Sequence, residues 1–179
     1  MIKNLLLDMG GVILNVSYQK VIESFKAYGI KDFDKVYTQA AQVEIIDRFE
    51  EGKCTPAEFR EGVRALLKKD LTDEQIDTAW FSMILDIPKD VIRLLEVLKS
   101  KYRLFLFSNT NVLHIEFLKK EFERQLGFDL FTHTFEKAFF SNEIHHRKPH
   151  PESFKYVLNA AGIKADETLF IDDSKQNLE

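Results

Sequence analysis

The sequence predicts an α/β fold in which a parallel sheet is flanked by helices and a helical segment is inserted near the N-terminus. Short apolar runs of strand length alternate with amphipathic segments over residues 87–179. This alternation is typical of parallel strands joined by right-handed crossovers. Residues 18–85 instead carry apolar residues at three- and four-residue spacing, which indicates helices. We therefore expect a core of residues 1–16 and 87–179 and a helical unit of residues 17–86.

The predicted insertion contains two helix-start signals. Thr55-Pro56-Ala57-Glu58 combines a capping threonine, a first-turn proline and a capping-box acid. Thr72 and Gln75 repeat the capping pattern. We therefore expect helices to begin at about residues 56 and 73.

The elements on either side of the insertion follow from apolar runs and from periodicity. The first strand is predicted within the stretch Asn4–Val12. After the insertion we expect a helix over Pro88–Lys99, a strand over Arg103–Phe107, a helix over about Val112–Leu126, a strand near Lys137–Phe140, a helix from Pro151 to about Ala161 and a strand over Thr168–Ile171. The segment Ser174–Glu179 resembles the opening of another helix, so we expect the chain to continue beyond Glu179.

Composition restricts the classes of function. The chain has 179 residues, of which 45% are hydrophobic and 30% charged, as in an ordinary globular protein. A net charge of −4 argues against nonspecific binding of nucleic acid or of anionic membranes, which requires a basic surface. No apolar stretch is long enough to span a bilayer, so a cytoplasmic location is expected. The single cysteine, Cys54, excludes an internal disulfide.

Polar residues follow three of the predicted strands. Asp8 follows the first, Ser108-Asn109 the second and Asp172-Asp173 the last, and carboxyl ends of parallel strands meet at one edge of a sheet. Each could also serve a turn or cap a helix. Lys148, just before a predicted helix, joins them at this edge. Together they supply what phosphoryl transfer to a carboxylate requires: a nucleophile, acids for Mg²⁺, and a hydroxyl and an ammonium for phosphate oxygens.

These residues form four motifs that resemble those of the haloacid dehalogenase superfamily of aspartyl-phosphate hydrolases. In chain order the motifs are Asp8-Met9-Gly10-Gly11-Val12, Ser108-Asn109-Thr110-Asn111, Lys148-Pro149 and Asp172-Asp173. The insertion resembles the helical cap that some members carry between the first and second motifs. The resemblance implies a Rossmann-like sheet with a helical cap, and Mg²⁺-dependent hydrolysis of a small phosphorylated metabolite.

The resemblance also implies roles for the individual residues at the metal. Asp8 would be both the nucleophile and a metal ligand. The backbone carbonyl of Gly10 and the carboxylate of Asp173 would be further ligands, and Asp172 would orient metal-bound water.

The phosphate group would be held by the other motif residues. Ser108 and the backbone of Asn109 would bind phosphate oxygens, and Lys148 would neutralise both the phosphate and Asp8. The catalytic residues implied in this way are Asp8, Ser108 and Lys148.

Gly10 departs from the phosphatase pattern, which usually has an acid there to protonate the leaving alcohol. Loss of general acid–base catalysis costs about 10²–10⁴-fold in rate. One interpretation is a phosphatase whose substrate has a good leaving group or supplies its own acid. The motif around Ser108 with His114 downstream resembles a bacterial subgroup that includes a sugar-1-phosphate phosphatase, which favours this interpretation. One alternative is a weak or inactive protein that binds phospho-ligands or partners. The other is a dehalogenase, although the Asp172-Asp173 pair argues against it because a dehalogenase needs no magnesium site.

Other conspicuous residues have structural explanations that we favour. His145, His146 and His150 lack regular ligand spacing and fit a solvated loop better than a transition-metal site. His114 fits packing on a helix surface better than a substitute acid. Aromatic residues are expected in the core or in packing within the cap, namely Phe128, Phe131, Phe135, Phe139, Phe140, Trp80 and Phe81.

Overall fold

A four-stranded parallel sheet forms the centre of the core in the computed structural model, which describes residues 1–30 and 44–179. Its strands are β1 (Asn4–Leu7), β2 (Arg103–Ser108), β3 (Lys137–Phe140) and β4 (Thr168–Ile171), in the order β3-β2-β1-β4. The predicted parallel sheet is confirmed, and β2 extends one residue further than the apolar run indicated.

The register of the sheet fixes which polar residues become neighbours. Leu7, the last residue of β1, pairs with Leu106 of β2 on one side and with Ile171 of β4 on the other. Asp8 therefore leaves the sheet beside the residue that follows Ile171. Because β1 lies between β2 and β4, the carboxyl ends of all three strands open onto one site.

Four helices form the inserted segment within the described residues. They are α1 (Tyr18–Ala27), α2 (Glu44–Glu50), α3 (Pro56–Leu67) and α4 (Asp73–Phe81). Both predicted capping boxes are present, since Thr55 Oγ1 accepts from the Glu58 amide at 3.2 Å and Thr72 Oγ1 accepts from the Gln75 amide at 3.2 Å. The prediction that residues 31–43 are also helical lies outside the described residues.

The remaining helices surround the sheet. They are α5 (Lys89–Lys99), α6 (Val112–Leu126), α7 (Leu130–Thr134), α8 (Ser141–Ile144) and α9 (Pro151–Ala161). The predicted helices correspond to α5, α6 and α9, whereas the short α7 and α8 were not predicted. In place of the helix expected at the end of the chain, the structure has a single 3₁₀ turn over Lys175–Asn177.

Apolar side chains are buried in three clusters. Two of them cover opposite faces of the sheet, with Leu5 and Leu106 in one and Leu6 and Phe107 in the other. The third lies among α1–α4 and includes Leu113 at the start of α6. The helical insertion thus has a core of its own that contacts the sheet domain through α6, although the exact bounds 17–86 stay a prediction.

The predicted packing role of the aromatic residues is confirmed for those that are buried, which are Phe131, Phe135, Phe139, Phe140 and Trp80. Phe128 and Phe81 are partly buried against the same clusters. Within the described ranges, none of the helices combines the length and the apolar character needed to cross a bilayer.

Candidate active site

A cavity opens at the carboxyl ends of β1, β2 and β4 and is closed on its far side by the inserted helices. Asp8, Ser108, Lys148 and Asp173 line it. The structure therefore brings together residues separated by up to 165 positions in the chain, as the motif order predicted.

Lys148 is the electrostatic centre of this cavity. Its ammonium lies 2.8 Å from Asp8 Oδ1 and 2.5 Å from Asp172 Oδ2, and it donates to the Phe107 carbonyl oxygen at 2.9 Å. Only 2% of Lys148 is exposed. Burial raises the pKa of the Asp8 carboxyl, and the neighbouring Lys148 ammonium opposes this rise. A buried ammonium requires such partners, because an isolated charge would not be tolerated there.

The backbone of Lys148 is held by the side chain of Asn109. Asn109 Oδ1 accepts from the Lys148 amide at 2.9 Å, and Asn109 Nδ2 donates to the Lys148 carbonyl at 2.9 Å. Sequence reasoning assigned the backbone of Asn109 to phosphate binding and missed this role of its side chain. The two hydrogen bonds fix the start of the Lys148 side chain relative to β2.

Asp172 and Asp173 occupy different environments despite their adjacency. Asp172 accepts hydrogen bonds from the Ser174 amide at 2.8 Å and from Asn177 Nδ2 at 2.9 Å, in addition to Lys148. Asp173 lies against Gly11, where a β-carbon would overlap its carboxylate. Gly11 also has φ of 73°, a conformation that favours glycine.

The acids at this edge fit a divalent cation. Asp8, Asp172 and Asp173 each offer one carboxylate oxygen, and these oxygens lie within 4.8 Å of one another. Three carboxylates and the Lys148 ammonium leave a net charge of −2 on the cluster. Carboxylate oxygens are the ligands that Mg²⁺ prefers, so both the charge and the donor chemistry match this ion.

Ser108 ends β2 inside the cavity, where only 2% of it is exposed. The N-cap of α6 is Asn111, whose Oδ1 accepts from the His114 amide at 3.1 Å. Ser108 and Asn109 therefore do not cap this helix, and that ordinary explanation for them is wrong. The loop between them and α6 is fixed by Ser141 Oγ, which accepts from the Thr110 amide at 2.9 Å.

Gly10 lines the cavity beside Asp8. A β-carbon at this position would first meet Val16 Cγ1 at 3.4 Å, an ordinary van der Waals contact. Its backbone does not adopt the left-handed conformation found at Gly11. The local structure would therefore accommodate a β-carbon where the usual acid is absent.

His114 lines the cavity and has the packing role that we favoured, but with only 6% exposed it is buried rather than on a helix surface. Its ring stacks on Trp80 at a centroid distance of 5.2 Å. Nε2 lies 3.1 Å from the Trp80 carbonyl and Nδ1 lies 3.3 Å from Asn111 Nδ2. Burial lowers the pKa of His114 to about 4, so the ring is neutral near pH 7. Both ring nitrogens have partners, which leaves no proton positioned for a leaving group.

The other histidines form no metal site with any of the described residues. Among the residues that the structure describes, the group of acids and histidines suited to a metal consists of Asp8, Asp172 and Asp173. His145 is exposed and its Nδ1 lies 2.9 Å from the Glu51 carbonyl oxygen, in keeping with the loop interpretation. Burial raises the pKa of the Cys54 thiol, so this cysteine has no activated thiolate.

Three residues on the cap side of the cavity were missed by sequence reasoning as site residues: Tyr18, Glu50 and Arg147. Arg147 Nη2 donates to Glu50 Oε2 at 2.8 Å, and Nη1 donates to Asp47. Glu50 follows Ile46 and Phe49 on the buried side of α2. An acid within an apolar helix face was the available sequence signal for this position.

The whole chain is similar to a known family of enzymes. The haloacid dehalogenase-like hydrolase family matches residues 2–179, and the chain belongs to this family. The family expected from the four motifs is thereby confirmed, together with its Rossmann-like α/β fold.

Among the relatives of this chain is D-ribitol-5-phosphate phosphatase from Bacteroides thetaiotaomicron. The two are 31% identical over 179 residues, which cover 99% of this chain and 86% of the relative. The hydrolase family and the phosphatase relative confirm the predicted enzyme class.

Solved structures agree with the fold over almost the whole chain. A haloacid dehalogenase family enzyme from B. thetaiotaomicron, crystallised with magnesium and inorganic phosphate, is 41% identical, with a TM-score of 0.89 over 99% of this chain and 87% of its own. An aspartate-to-alanine variant of this enzyme, also crystallised with magnesium and inorganic phosphate, has a TM-score of 0.94 over 99% of this chain and 87% of its own. A HAD-like family hydrolase from Porphyromonas gingivalis is 29% identical, with a TM-score of 0.89 over 99% of this chain and 85% of its own. The magnesium in the first two structures agrees with the predicted cofactor.

More distant structures share the fold alone. A 2-haloacid dehalogenase from Pseudomonas syringae is 18% identical, with a TM-score of 0.57 over 99% of this chain and 80% of its own. This likeness lends no support to dehalogenase activity.

Proposed function

We propose that the chain is a Mg²⁺-dependent phosphomonoester hydrolase that acts through phosphorylated Asp8 on a small sugar or polyol phosphate. The observation that carries the proposal is the placement of the buried Lys148, which contacts Asp8 and Asp172 in a cavity that Ser108 also lines. The name of the ribitol-phosphate relative supports the substrate class.

The reaction follows from the groups at the edge of the sheet. A carboxylate oxygen of Asp8 attacks the phosphorus atom and forms an acyl phosphate as the bond to the leaving alcohol breaks. Lys148 and Ser108 bind the phosphate oxygens on which negative charge increases. Water then attacks the phosphorus, which releases inorganic phosphate and restores Asp8.

Mg²⁺ would be held by Asp8, Asp173 and the carbonyl oxygen of Gly10, with Asp172 orienting water beside it. When bound, the ion neutralises phosphate charge and orients the phosphate for in-line attack. Residues 17–86 would act as the cap, excluding bulk water while phosphoryl transfer occurs.

The absence of an acid at Gly10 restricts which leaving groups can be released efficiently. Because Gly10 offers no proton, the leaving alcohol must take one from solvent or from the substrate itself. An anomeric alcohol leaves more easily than a primary one, so we propose that sugar 1-phosphates are hydrolysed faster than sugar 6-phosphates. Equal turnover of the two would contradict this preference.

A second candidate function is phospho-ligand binding with little or no turnover, and Gly10 is the observation that favours it. A panel of phosphorylated metabolites with Mg²⁺, tested on the wild type and on Asp8→Asn, separates the two functions. We expect release of phosphate by the wild type and loss of release in Asp8→Asn. A complex of beryllofluoride with wild-type Asp8, absent in Asp8→Asn, would independently establish that Asp8 can accept a phosphoryl group. No turnover of any ester by the metal-loaded wild type would favour the binding function.

A further inference from the structure

The cap side of the cavity carries a polar wall opposite the phosphate site. Tyr18 at the first turn of α1, Glu50 at the last turn of α2 and Arg147 next to Lys148 line the same cavity as Asp8. None of these side chains has a role in the reaction proposed above.

Arg147 joins this wall to the core. Its guanidinium donates to Glu50 Oε2 at 2.8 Å and to Asp47, and 18% of its side chain is exposed, against 9% for Glu50. One residue further along the chain, the Glu51 carbonyl oxygen lies 2.9 Å from His145 Nδ1. The end of α2 is therefore fastened to the loop that carries Lys148. Glu50 is a positioned group, and positioned groups bind ligands at a lower entropic cost.

The wall is negatively charged on balance when it is counted together with Asp47, which pairs with Arg147 but is not among the residues that line the cavity. Asp47 and Glu50 contribute two carboxylates and Arg147 contributes one guanidinium, so this trio has a formal net charge of −1. The opposite side of the cavity holds Lys148 and the acids suited to a divalent cation. An anionic group is therefore favoured at the phosphate side and opposed at the cap side.

Tyr18 adds a neutral hydroxyl to the same wall. Burial raises the pKa of the Tyr18 phenol, and Glu50, Asp173 and Asp8 raise it further. The phenol therefore keeps its proton at neutral pH. Its oxygen can both donate to and accept from an alcohol.

We propose that Glu50, held by Arg147, and Tyr18 form a subsite that binds hydroxyl groups of the leaving alcohol and selects against a second anionic group on the substrate. The inference rests on the proposed phosphatase function and specifies its substrate as a neutral polyol or sugar monophosphate. A carboxylate accepts strong, charge-assisted hydrogen bonds from hydroxyl groups, and a site built in this way discriminates against analogues that lack them. A carboxylate on the substrate would instead face the charge of Glu50.

The kinetic test compares Glu50→Gln with Glu51→Gln. The control makes the same chemical change one residue later, at a side chain that pairs with Lys53 and does not line the cavity. The substrates are D-ribitol 5-phosphate, D-ribonate 5-phosphate, which carries a carboxylate in place of the terminal alcohol, and p-nitrophenyl phosphate, which has no hydroxyl to bind.

We expect the wild type to prefer ribitol 5-phosphate to ribonate 5-phosphate. In Glu50→Gln, kcat/KM for ribitol 5-phosphate relative to p-nitrophenyl phosphate falls at least tenfold, and the preference over ribonate 5-phosphate narrows by a similar factor. Glu51→Gln retains both ratios. An equal loss for all three substrates, or unchanged ratios in Glu50→Gln, would overturn the subsite.

A binding measurement separates failure of the subsite from failure of the proposed function. In the Asp8→Asn background with Mg²⁺, calorimetric titration with ribitol 5-phosphate gives a Kd that rises at least tenfold on adding Glu50→Gln. Tyr18→Phe, which removes only the hydroxyl group, raises the same Kd and serves if Glu50→Gln does not fold. Glu50-dependent binding without hydrolysis by the wild type would reject the phosphatase function and retain the subsite. Hydrolysis with binding that is insensitive to both substitutions would reject the subsite alone.

Discussion

At Gly10 the site keeps the geometry expected of the family but lacks the acidic side chain that is usual at this position. Asp8, Ser108, Lys148 and Asp173 all line the cavity, yet position 10 contributes only backbone. A β-carbon fits there, because its nearest neighbour would be Val16 Cγ1 at 3.4 Å. The missing acid is therefore a matter of residue identity and is open to direct replacement.

We predict that Gly10→Asp increases turnover of phosphate esters of ordinary alcohols. General acid–base catalysis contributes about 10²–10⁴-fold, and a gain within this range is expected for sugar 6-phosphates. Hydrolysis of p-nitrophenyl phosphate should gain much less, because its leaving group needs no proton. A steady-state comparison of the two esters tests this, and equal gains for both would contradict an acid–base role.

Gly11 provides a second prediction at the residue scale. Gly11→Ala places a methyl group against the Asp173 carboxylate at a backbone with φ of 73°. We expect the Mg²⁺ concentration for half-maximal activity to rise at least tenfold, because Asp173 is displaced from the acid cluster.

Gly127→Ala is the matched control for Gly11→Ala. Gly127 has φ of 79° but no atom within 4 Å of a β-carbon, so both variants share the backbone strain of roughly 1–2 kcal/mol. Only Gly11→Ala should alter the dependence on Mg²⁺. A similar change in both variants would assign the effect to strain rather than to Asp173.

At the scale of elements, His114 joins α6 to α4 through Trp80. Its pKa is about 4 in the folded protein and near 6.5 in an unfolded chain. Between these values the unfolded state binds more protons than the folded state, so stability falls as pH decreases from about 6.5 towards 4. Well above pH 6.5, His114 is neutral in both the folded and the unfolded state, so its contribution to the free energy of unfolding no longer changes with pH.

We predict that the stability of His114→Gln falls less steeply with acid than that of the wild type. From pH 7 to pH 4.5 the wild type should lose about 2–3 kcal/mol more of its free energy of unfolding than the variant, given about 1.4 kcal/mol for each unit of pKa difference. Urea unfolding at the two pH values measures this difference. Parallel losses in both proteins would show that His114 titrates normally.

The elements were largely predictable because each has a local signal. Apolar runs marked the four strands, and the Thr55 and Thr72 capping boxes marked the starts of α3 and α4. The helices α7 and α8 have only five and four residues, which is too short for a periodic pattern. Burial of His114 was not predictable, because it depends on the position of Trp80 in a different helix.

Apart from Lys148, which lies just before a predicted helix, the site residues that were predicted are those that follow strands. Asp8, Ser108 and Asp172-Asp173 end strands of one parallel sheet, so topology alone brings them together. The contact between Arg147 and Glu50 joins positions 97 residues apart. No local pattern encodes the approach of the inserted helices to the core. The sequence could therefore mark Glu50 as an acid on an apolar helix face, but it could not place this residue at the cavity.

At the scale of the whole molecule, the acid cluster predicts that Mg²⁺ stabilises the fold. Asp8, Asp172 and Asp173 place three carboxylates close together, and the Lys148 ammonium, which contacts Asp8 and Asp172, offsets one of these charges. An ion that binds only the folded state at 100 times its Kd adds about 2.7 kcal/mol to the free energy of unfolding. We expect a higher Tm in Mg²⁺ than in EDTA, and a smaller increase in Asp173→Asn. An equal increase in the variant would place the ion elsewhere.

The hydrogen bonds between Asn109 and the Lys148 peptide give the neighbouring residues Arg147 and Lys148 different mechanical roles. The side-chain amide of Asn109, the residue after β2, makes both hydrogen bonds to the Lys148 backbone and so anchors the lysine to the end of this strand. Arg147 is tied instead to α2 of the cap. We expect a displacement of α2 to change the conformation of the Arg147 side chain before it moves the Lys148 peptide. The Lys148 ammonium would then stay beside Asp8 while the entrance to the cavity changes shape.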